Sequence, residues 1–247
     1  MSRGIWATWY DVADADRDAF IEWEQKEYLP ALAANSRYNW VARYASKSGA
    51  GIETGVFGET VVDAGKEGIG SASEYLVLIG ADSPHVFLNP LVLDGNEAPF
   101  PGASDMLKKR INLRHAILLE EETVDGPEAA PKTLPDVPAP AIRLGNFYMR
   151  TTQEDFDAGR WYAQRRLPEM QESPGCVRTR KLMCVAGWGK HSILYEFTSP
   201  ETRADLWKAF QAQRKDDPNG FWTIGPQTLH APGSPFLGQR TWSSVKA

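Results

Sequence analysis

The sequence predicts an α+β protein in which one chain contains two βαββαβ modules. The first observation is a repeat: residues 23–30, W-E-Q-K-E-Y-L-P, return at 161–168 as W-Y-A-Q-R-R-L-P, with W-x5-L-P in common. The second is that each copy lies between two apolar, strand-like runs. The third is a Ser-Pro pair after a later strand in each half, at 83–84 and 199–200. Such internal similarity indicates two related units.

Local patterns place the elements of the first half. A β-branched and aromatic run predicts the opening strand, and acidic residues from Asp14 onward are N-cap candidates for the helix that follows. The apolar residues of that helix share one face of the helical wheel. The glycine-rich stretch 48–73 predicts an extended loop. The predicted elements are strand 5–10, helix 14–34, strands 40–45 and 75–79, a helix from 83, and strand 111–120.

The second half repeats this order after a linker. Residues 127–140 contain five prolines and few apolar side chains, which is typical of a linker. We therefore divide the chain into a first module at 1–126, the linker at 127–140 and a second module at 141–247. The predicted elements of the second module are strand 142–150, helix 153–171, strands 177–185 and 192–197, helix 199–214, and strand 240–244.

The order βαββαβ is the ferredoxin-like plan, an antiparallel sheet with helices on one face. The other face of such a sheet is apolar and uncovered. Pairing the two uncovered faces within one chain would bury both of them. The sequence therefore predicts a pseudo-dimeric α+β barrel.

Composition narrows the classes of function. The net charge of −5 has no clustered basic stripe, so nucleic acid is not an expected partner. No apolar run has the roughly 20 residues of a membrane helix, and the N-terminus lacks a signal-peptide core. Two cysteines are too few for a disulfide framework and favour a cytoplasmic location. Nine Trp, eight Tyr and ten Phe suit a pocket for a small, hydrophobic, aromatic substrate. Pairing of the pseudo-dimeric chain into a homodimer stays open.

The repeated helix also carries a resemblance to a known family. Residues 20–23, F-I-E-W, continue to the Leu-Pro at 29–30, and an aromatic strand follows at 38–44. This pattern resembles the dimeric α/β barrel superfamily, close to members with an F-x-x-W-Y-x-x-E-H-L-P helix, here as a single-chain tandem repeat. The resemblance implies a ligand pocket between a module's sheet and its helices. It fixes no single activity, because the superfamily includes cofactor-free monooxygenases, isomerases, cyclases, lyases and haem-dependent enzymes.

The chain departs from that motif at two positions. The His of the motif is Tyr28 in the first half and Arg166 in the second. Its Tyr is Glu24 in the first half and is retained as Tyr162 in the second. A role that the family gives to the His therefore does not transfer to this chain.

The catalytic candidates are polar residues on apolar faces of the first half. His115 interrupts the aliphatic parity of strand 111–120, and Tyr28 extends from the apolar helix face towards the sheet. Glu24 borders that face, and Arg43 in the second strand could hold an oxyanion. Each has an ordinary alternative: a packed core His, a core Tyr, a solvated helix carboxylate and an edge-strand ion pair.

Further aromatic and polar side chains are candidates for substrate contacts. His191 begins a strand next to a glycine-rich turn, where solvent exposure is the expected state. His85 and His230 are expected to be surface or packing residues. The predicted substrate-binding residues are Trp9, Trp40, Tyr44, Tyr148, Arg150 and His191.

The sequence predicts neither a metal nor a cofactor. The four His are far apart, and no H-x-H, H-x3-H or C-x2-C spacing occurs. No G-x-G-x-x-G follows a strand, and the glycine-rich stretch lacks the Lys-Ser/Thr of a P-loop. Haem held by a single axial His remains open.

These observations favour proton chemistry in an aromatic pocket. The leading hypothesis is a cofactor-independent lyase or isomerase acting on a hydrophobic aromatic molecule, with His115 as base, Tyr28 and Arg43 as oxyanion partners and Glu24 as orienter. By the family resemblance alone, a lignin-type phenolic that releases formaldehyde or CO2 would fit. The alternatives are a cofactor-free monooxygenase of the same superfamily and a non-catalytic ligand-binding or stress-response barrel.

Overall fold

The computed structural model describes residues 3–46, 64–93, 99–129, 137–212, 217 and 224–244. Most of the predicted glycine-rich loop (47–63) and the middle of the predicted linker (130–136) lie outside these residues. None of the helices in the described ranges is long and apolar enough to cross a membrane.

The strands form a closed, antiparallel, eight-stranded barrel. Each strand pairs with two neighbours in the order β7-β6-β4-β1-β3-β2-β9-β5, and β5 pairs back with β7. The short β8 pairs with β5 beyond the barrel. The strands are β1 (Gly4–Val12), β2 (Trp40–Ser46), β3 (Tyr75–Ala81), β4 (Arg110–Asp125), β5 (Ala141–Met149), β6 (Cys176–Gly187), β7 (His191–Phe197), β8 (Thr228–His230) and β9 (Phe236–Ser243).

The two halves have the same strand order. The first half runs β4-β1-β3-β2 and the second runs β9-β5-β7-β6, so in each the opening strand lies between the last and the third. The barrel closes where β4 pairs with β6 and where β2 pairs with β9. Every closing contact therefore joins one half to the other.

The helices lie outside the barrel. Each half has one long helix after its first strand, and the predicted spans 14–34 and 153–171 are confirmed within a residue or two. The helices are α1 (Asp14–Trp23), α2 (Leu29–Ala34), α3 (Ala64–Glu67), α4 (Ala103–Leu107), α5 (Thr152–Trp161), α6 (Leu167–Glu172) and α7 (Pro200–Gln211), with π-helical segments at Glu24–Tyr28 and Tyr162–Arg166.

The repeated W-x5-L-P motif produces the π-helical segments. In both halves the wide turn begins directly after the Trp and ends directly before the Leu. The N–H of Leu29 donates to the carbonyl of Glu24, and the N–H of Leu167 donates to that of Tyr162, which are i→i+5 bonds. The following Pro has no N–H, and its ring would clash with the carbonyl four residues earlier. A widened turn removes that clash.

Strand alternation separates three apolar cores. Ile5, Ala7 and Trp9 point into the barrel and pack with inward residues of both halves. Trp6 and Tyr10 of the same strand point outward against the first helix layer. A third cluster lies between the second half's sheet and its helices. The side-chain period of two in a strand accounts for this division.

Three element predictions are corrected. The helix expected at residue 83 is a single 3-10 turn, Pro84–Phe87, capped by Ser83, whereas the matching Ser199 caps the full helix α7. The closing strand of the first half extends beyond residue 120 to Asp125, because β6 pairs with it there. Residues 228–230, expected to be irregular, form β8.

Candidate functional site

A cavity lies between the sheet and the helices of the second half. It encloses about 460 Å³ of space free of atoms, including its opening to solvent. Its lining includes five aromatic side chains, Phe147, Trp161, Tyr162, Tyr195 and Trp207.

Two guanidinium groups line the same cavity. Arg166 is the last residue of the second π-helical segment and is 3% exposed. Its Nε donates to the Tyr195 hydroxyl at 3.0 Å, and its plane lies 3.4 Å from the centre of the Phe210 ring. Arg143 extends outward from β5 and lies 4.5 Å from the centre of the Trp207 ring. The aromatic faces thus hold both cations in place.

Tyr162 begins the same π-helical segment and also lines the cavity. Burial, followed by the charge of neighbouring Tyr195, raises the pKa of Tyr162 well above its usual value. The phenol is therefore protonated at neutral pH. It can donate a hydrogen bond to a bound molecule but cannot act as a phenolate base.

His230 is the imidazole of this lining, and it is buried rather than on the surface. Burial, followed by the charge of Arg143, lowers its pKa to about 3, so the ring is neutral. The Thr228 hydroxyl donates to the carbonyl of Gly225 at 2.6 Å and therefore accepts from Nε2 of His230 at 2.9 Å. Nδ1 lies 3.3 Å from the Ser234 hydroxyl. Because both ring nitrogens are engaged, His230 does not fit the role of an axial haem ligand.

In the first half, a charged cluster lies between the sheet and the helix that follows the first strand. Glu24 is fully buried and accepts from Nε of Arg43 at 2.6 Å and from Nη2 of Arg110 at 3.1 Å. The Tyr10 hydroxyl lies 2.7 and 2.8 Å from its two carboxylate oxygens. Burial, and then the Glu24 charge, raises the pKa of Tyr10 well above its usual value. Tyr28 packs beside this cluster, with its ring 5.0 Å from the Arg110 guanidinium.

Of the ordinary alternatives for two of these residues, the one for Glu24 is wrong, and the one for Arg43 is confirmed in part, because Arg43 does form an ion pair. Glu24 is not a solvated helix carboxylate, because two arginines neutralise it inside the core. Arg43 is not on an edge strand, since β2 lies between β3 and β9. Three catalytic candidates, Glu24, Arg43 and Tyr28, are thus brought together.

His115 lies further along β4, opposite Thr8. Nδ1 of His115 accepts from Nε1 of Trp6 at 3.4 Å and lies 3.1 Å from the Thr8 hydroxyl. Burial, and then the charge of Arg110, lowers its pKa to about 4. The prediction that His115 interrupts an apolar face of β4 is wrong in part, because two residues of that face, Ile111 and Leu113, are exposed. Its role as a base stays a prediction.

The six predicted substrate contacts do not form one site. Trp9, Trp40 and Tyr44 point into the barrel interior, on the opposite face of the sheet from the helices. Tyr148 and Arg150 are exposed. His191 is buried, contrary to the expected exposure, because Nε2 lies 2.5 Å from the Asp155 carboxylate of the neighbouring helix.

None of the predicted site residues lines the second-half cavity. Its Arg166 and Tyr162 had a sequence signal, since Arg166 replaces the His of the family motif and Tyr162 keeps its Tyr. Arg143 and Trp207 had none, because an Arg in an amphipathic strand and a Trp in a helix are ordinary. Within the described ranges, no three His, Cys, Asp or Glu side chains could together hold a metal ion.

Known structures match the fold over nearly the whole chain. An anthrone oxidase-like protein aligns with a TM-score of 0.59 at 11% identity, covering 98% of this chain and 92% of that one. This chain and that protein share their fold. A protein of Lactobacillus acidophilus NCFM described as a "putative monooxygenase" gives 0.54 at 9% identity, with 99% and 97% covered. A dye-decolorizing protein of V. cholerae gives 0.53 at 12% identity, with 99% and 94% covered.

These identities are low enough that the likeness shows the fold alone. No protein-family model and no curated protein matches the sequence. The resemblance deduced from the W-x5-L-P helix is thereby confirmed at the level of the barrel fold.

Proposed function

We propose that the protein is an enzyme that converts a hydrophobic aromatic small molecule in the second-half cavity. The observation that carries this proposal is the cavity itself, with five aromatic rings, two guanidinium groups and a protonated phenol around one space. Aromatic faces bind a flat substrate and exclude water. Positive charge in such a dry site stabilises an anion formed from the substrate.

The reaction that we favour is cofactor-free oxygenation. The substrate loses a proton from an acidic carbon or hydroxyl to solvent water at the opening of the cavity, and the resulting anion reduces O2 directly. For an activated CH2 group the products balance as a ketone plus water, with one oxygen atom entering the substrate. Arg143 and Arg166 would stabilise the anion, and Tyr162 would donate a hydrogen bond to it. Two structurally similar proteins, one described as a "putative monooxygenase" and the other as anthrone oxidase-like, agree with this choice.

A cofactor-independent lyase or isomerase is the second candidate. It would cleave a C–C or C–O bond through a quinone-methide or enolate-like intermediate, as in the release of formaldehyde or CO2 from a phenolic. The protonated phenol of Tyr162 favours this alternative, because it could return a proton to such an intermediate. In a first-half version of either reaction, His115 would act as base with Glu24, Tyr28 and Arg43 beside the substrate.

Oxygen dependence separates the two reactions. Turnover of phenolic and anthrone-type substrates is measured with an O2 electrode and again under anaerobic conditions. Oxygenation predicts O2 uptake that matches product and stops without O2, whereas a lyase turns over equally in both. Binding without any turnover would identify a ligand-binding barrel and contradict the enzyme proposal.

Two variants test whether the active site lies in the second half or in the first. Gly145→Val directs a side chain into the second-half cavity, where an added Cβ meets nothing nearer than 4.0 Å. We expect it to fold and to lose activity. His115→Ala, compared for activity and thermal stability, tests the first half. Activity that survives in Gly145→Val and disappears in a stable His115→Ala would move the site to the first half.

We also propose that the chain is a tandem repeat of two ferredoxin-like modules, at 1–126 and 141–247. The equal strand order of the halves and the π-helical segment after each Trp support it. In this scheme the first module is closed by its Glu24 cluster, and the second carries the substrate site.

A further inference from the structure

The charge balance of the second-half cavity points to one class of substrate. Its lining contains two arginines and neither Asp nor Glu. His230 in the same lining is neutral, and so is Tyr162. A cavity lined by two guanidinium groups and by neither Asp nor Glu favours an anion.

Arg166 is the better defined of the two cations. Its Nε is committed to Tyr195 and its face to Phe210, which fixes the direction of the remaining N–H groups. The nearest carboxylate oxygen among the described residues belongs to Glu169, 3.9 Å from Nη1, beyond hydrogen-bond distance. Glu169 instead accepts from Nε of Arg165 at 2.5 Å. Arg166 is thus held in place by Tyr195 and Phe210, while its ion pair with Glu169 has no hydrogen bond among the described residues.

In the first half, the buried arginines beside the π-helical segment are paired with a carboxylate. There Glu24, the first residue of the segment, provides a carboxylate for Arg43 and Arg110. The second segment has Tyr162 at that position. At this position the second segment therefore has a phenol in place of the carboxylate that neutralises the first cluster.

We infer that the substrate of the second-half cavity is an aromatic carboxylate, and that Arg166 is the residue that selects for its permanent negative charge. The bound carboxylate would stand in for the one that Glu24 provides in the first half, with its ring among the aromatic side chains. This inference rests on the proposed function, since it names the substrate class of the same site.

The test compares two ligands of equal shape, 2-naphthoate and 2-naphthamide, by calorimetry and by quenching of tryptophan fluorescence. We expect the wild-type chain to bind the carboxylate at least about tenfold more tightly, because it forms an ion pair with the guanidinium, whereas the uncharged amide only accepts a hydrogen bond from it. In Arg166→Met the two affinities should become equal within about twofold. Arg165→Met is the matched control, because Arg165 is the preceding residue of the same segment, lies outside the cavity lining, and pairs with Glu169. It should keep the preference.

Each outcome has a distinct meaning. Equal affinities in the wild type would overturn the inference and leave the aromatic cavity of the proposed function standing. Failure of both ligands to bind would contradict the proposed function as well. A preference that survives in Arg166→Met would show that Arg166 does not select the charge. If Arg166→Met does not fold, the wild-type comparison still decides whether the site prefers an anion.

Discussion

Replacing Glu24 by Gln removes the carboxylate with which both Arg43 and Arg110 pair in the first half. The substitution keeps the size of the side chain and its place in the π-helical segment. It deprives two buried guanidinium groups of the Glu24 charge, and it removes the charge from the bonds to Tyr10.

The expected loss of stability follows from the ion pairs that Glu24 makes. Removing one partner of a buried ion pair costs about 3–5 kcal/mol, because the remaining charge stays buried without compensation. Gln can still accept one hydrogen bond, which places the loss near the lower limit, about 3 kcal/mol. In a domain of this size about 1 kcal/mol lowers Tm by roughly 2–4 °C. We therefore expect Tm to fall by about 6–12 °C.

Urea unfolding followed by circular dichroism measures the change in the free energy of unfolding. Glu22→Gln on the same helix is the control, because the Glu22–Lys26 pair is exposed and its loss should leave the curve unchanged. A loss below about 1 kcal/mol in Glu24→Gln would refute the reasoning. It would mean that the two guanidinium groups relax into solvent or are compensated by their aromatic neighbours alone.

Three further outcomes are expected. The pKa of His230 is about 3 when folded and near 6.5 when unfolded, so between pH 7 and 5 its protonation favours the unfolded chain and contributes about 2 kcal/mol of lost stability. His230→Gln should reduce the total loss, measured by urea titrations at both pH values, by that amount, while His115, with a pKa of about 4, still contributes its own share. Gly80→Ala places a Cβ 2.1 Å from the Trp40 ring, and thermal unfolding should show a loss of about 1–3 kcal/mol of stability. Gly159→Ala is the control, because its added Cβ has no atom within 4 Å and should not destabilise the fold. Pro168→Ala removes the steric cause of the second π-helical segment. Aromatic ligands should therefore bind more weakly, while the free energy of unfolding does not fall. An unchanged ligand affinity would contradict this role for the proline.

The sequence was sufficient for the features that depend on local pattern. The repeated W-x5-L-P marked the two long helices, and apolar runs marked most of the barrel strands. The π-helical turns escaped prediction because a helical wheel assumes 100° per residue. An i→i+5 turn changes that angle at Glu24 and Tyr162, so the wheel could not show which way these residues point.

The positions of the charged residues depended on contacts between distant segments. Glu24 is buried because Arg43 and Arg110, on two separate strands, both reach it. His191 is buried because Asp155 of a helix 36 residues away approaches its ring. A single sequence does not reveal such pairs. The aromatic excess correctly suggested a pocket, but the half that contains the described cavity depends on how side chains fill each gap.

The pairing of β2 with β9 sets a condition on how the chain can fold during synthesis. Arg43 lies opposite Trp242, so this ladder forms only after the residues up to Trp242 have left the ribosome. Until then β2 has a partner on one side only, and its other row of backbone N–H and C=O groups is open to pairing with another nascent chain. A chain cut off before residue 236 would keep that row open permanently. Such a truncation should therefore lead to aggregation even though all residues that line the cavity precede it.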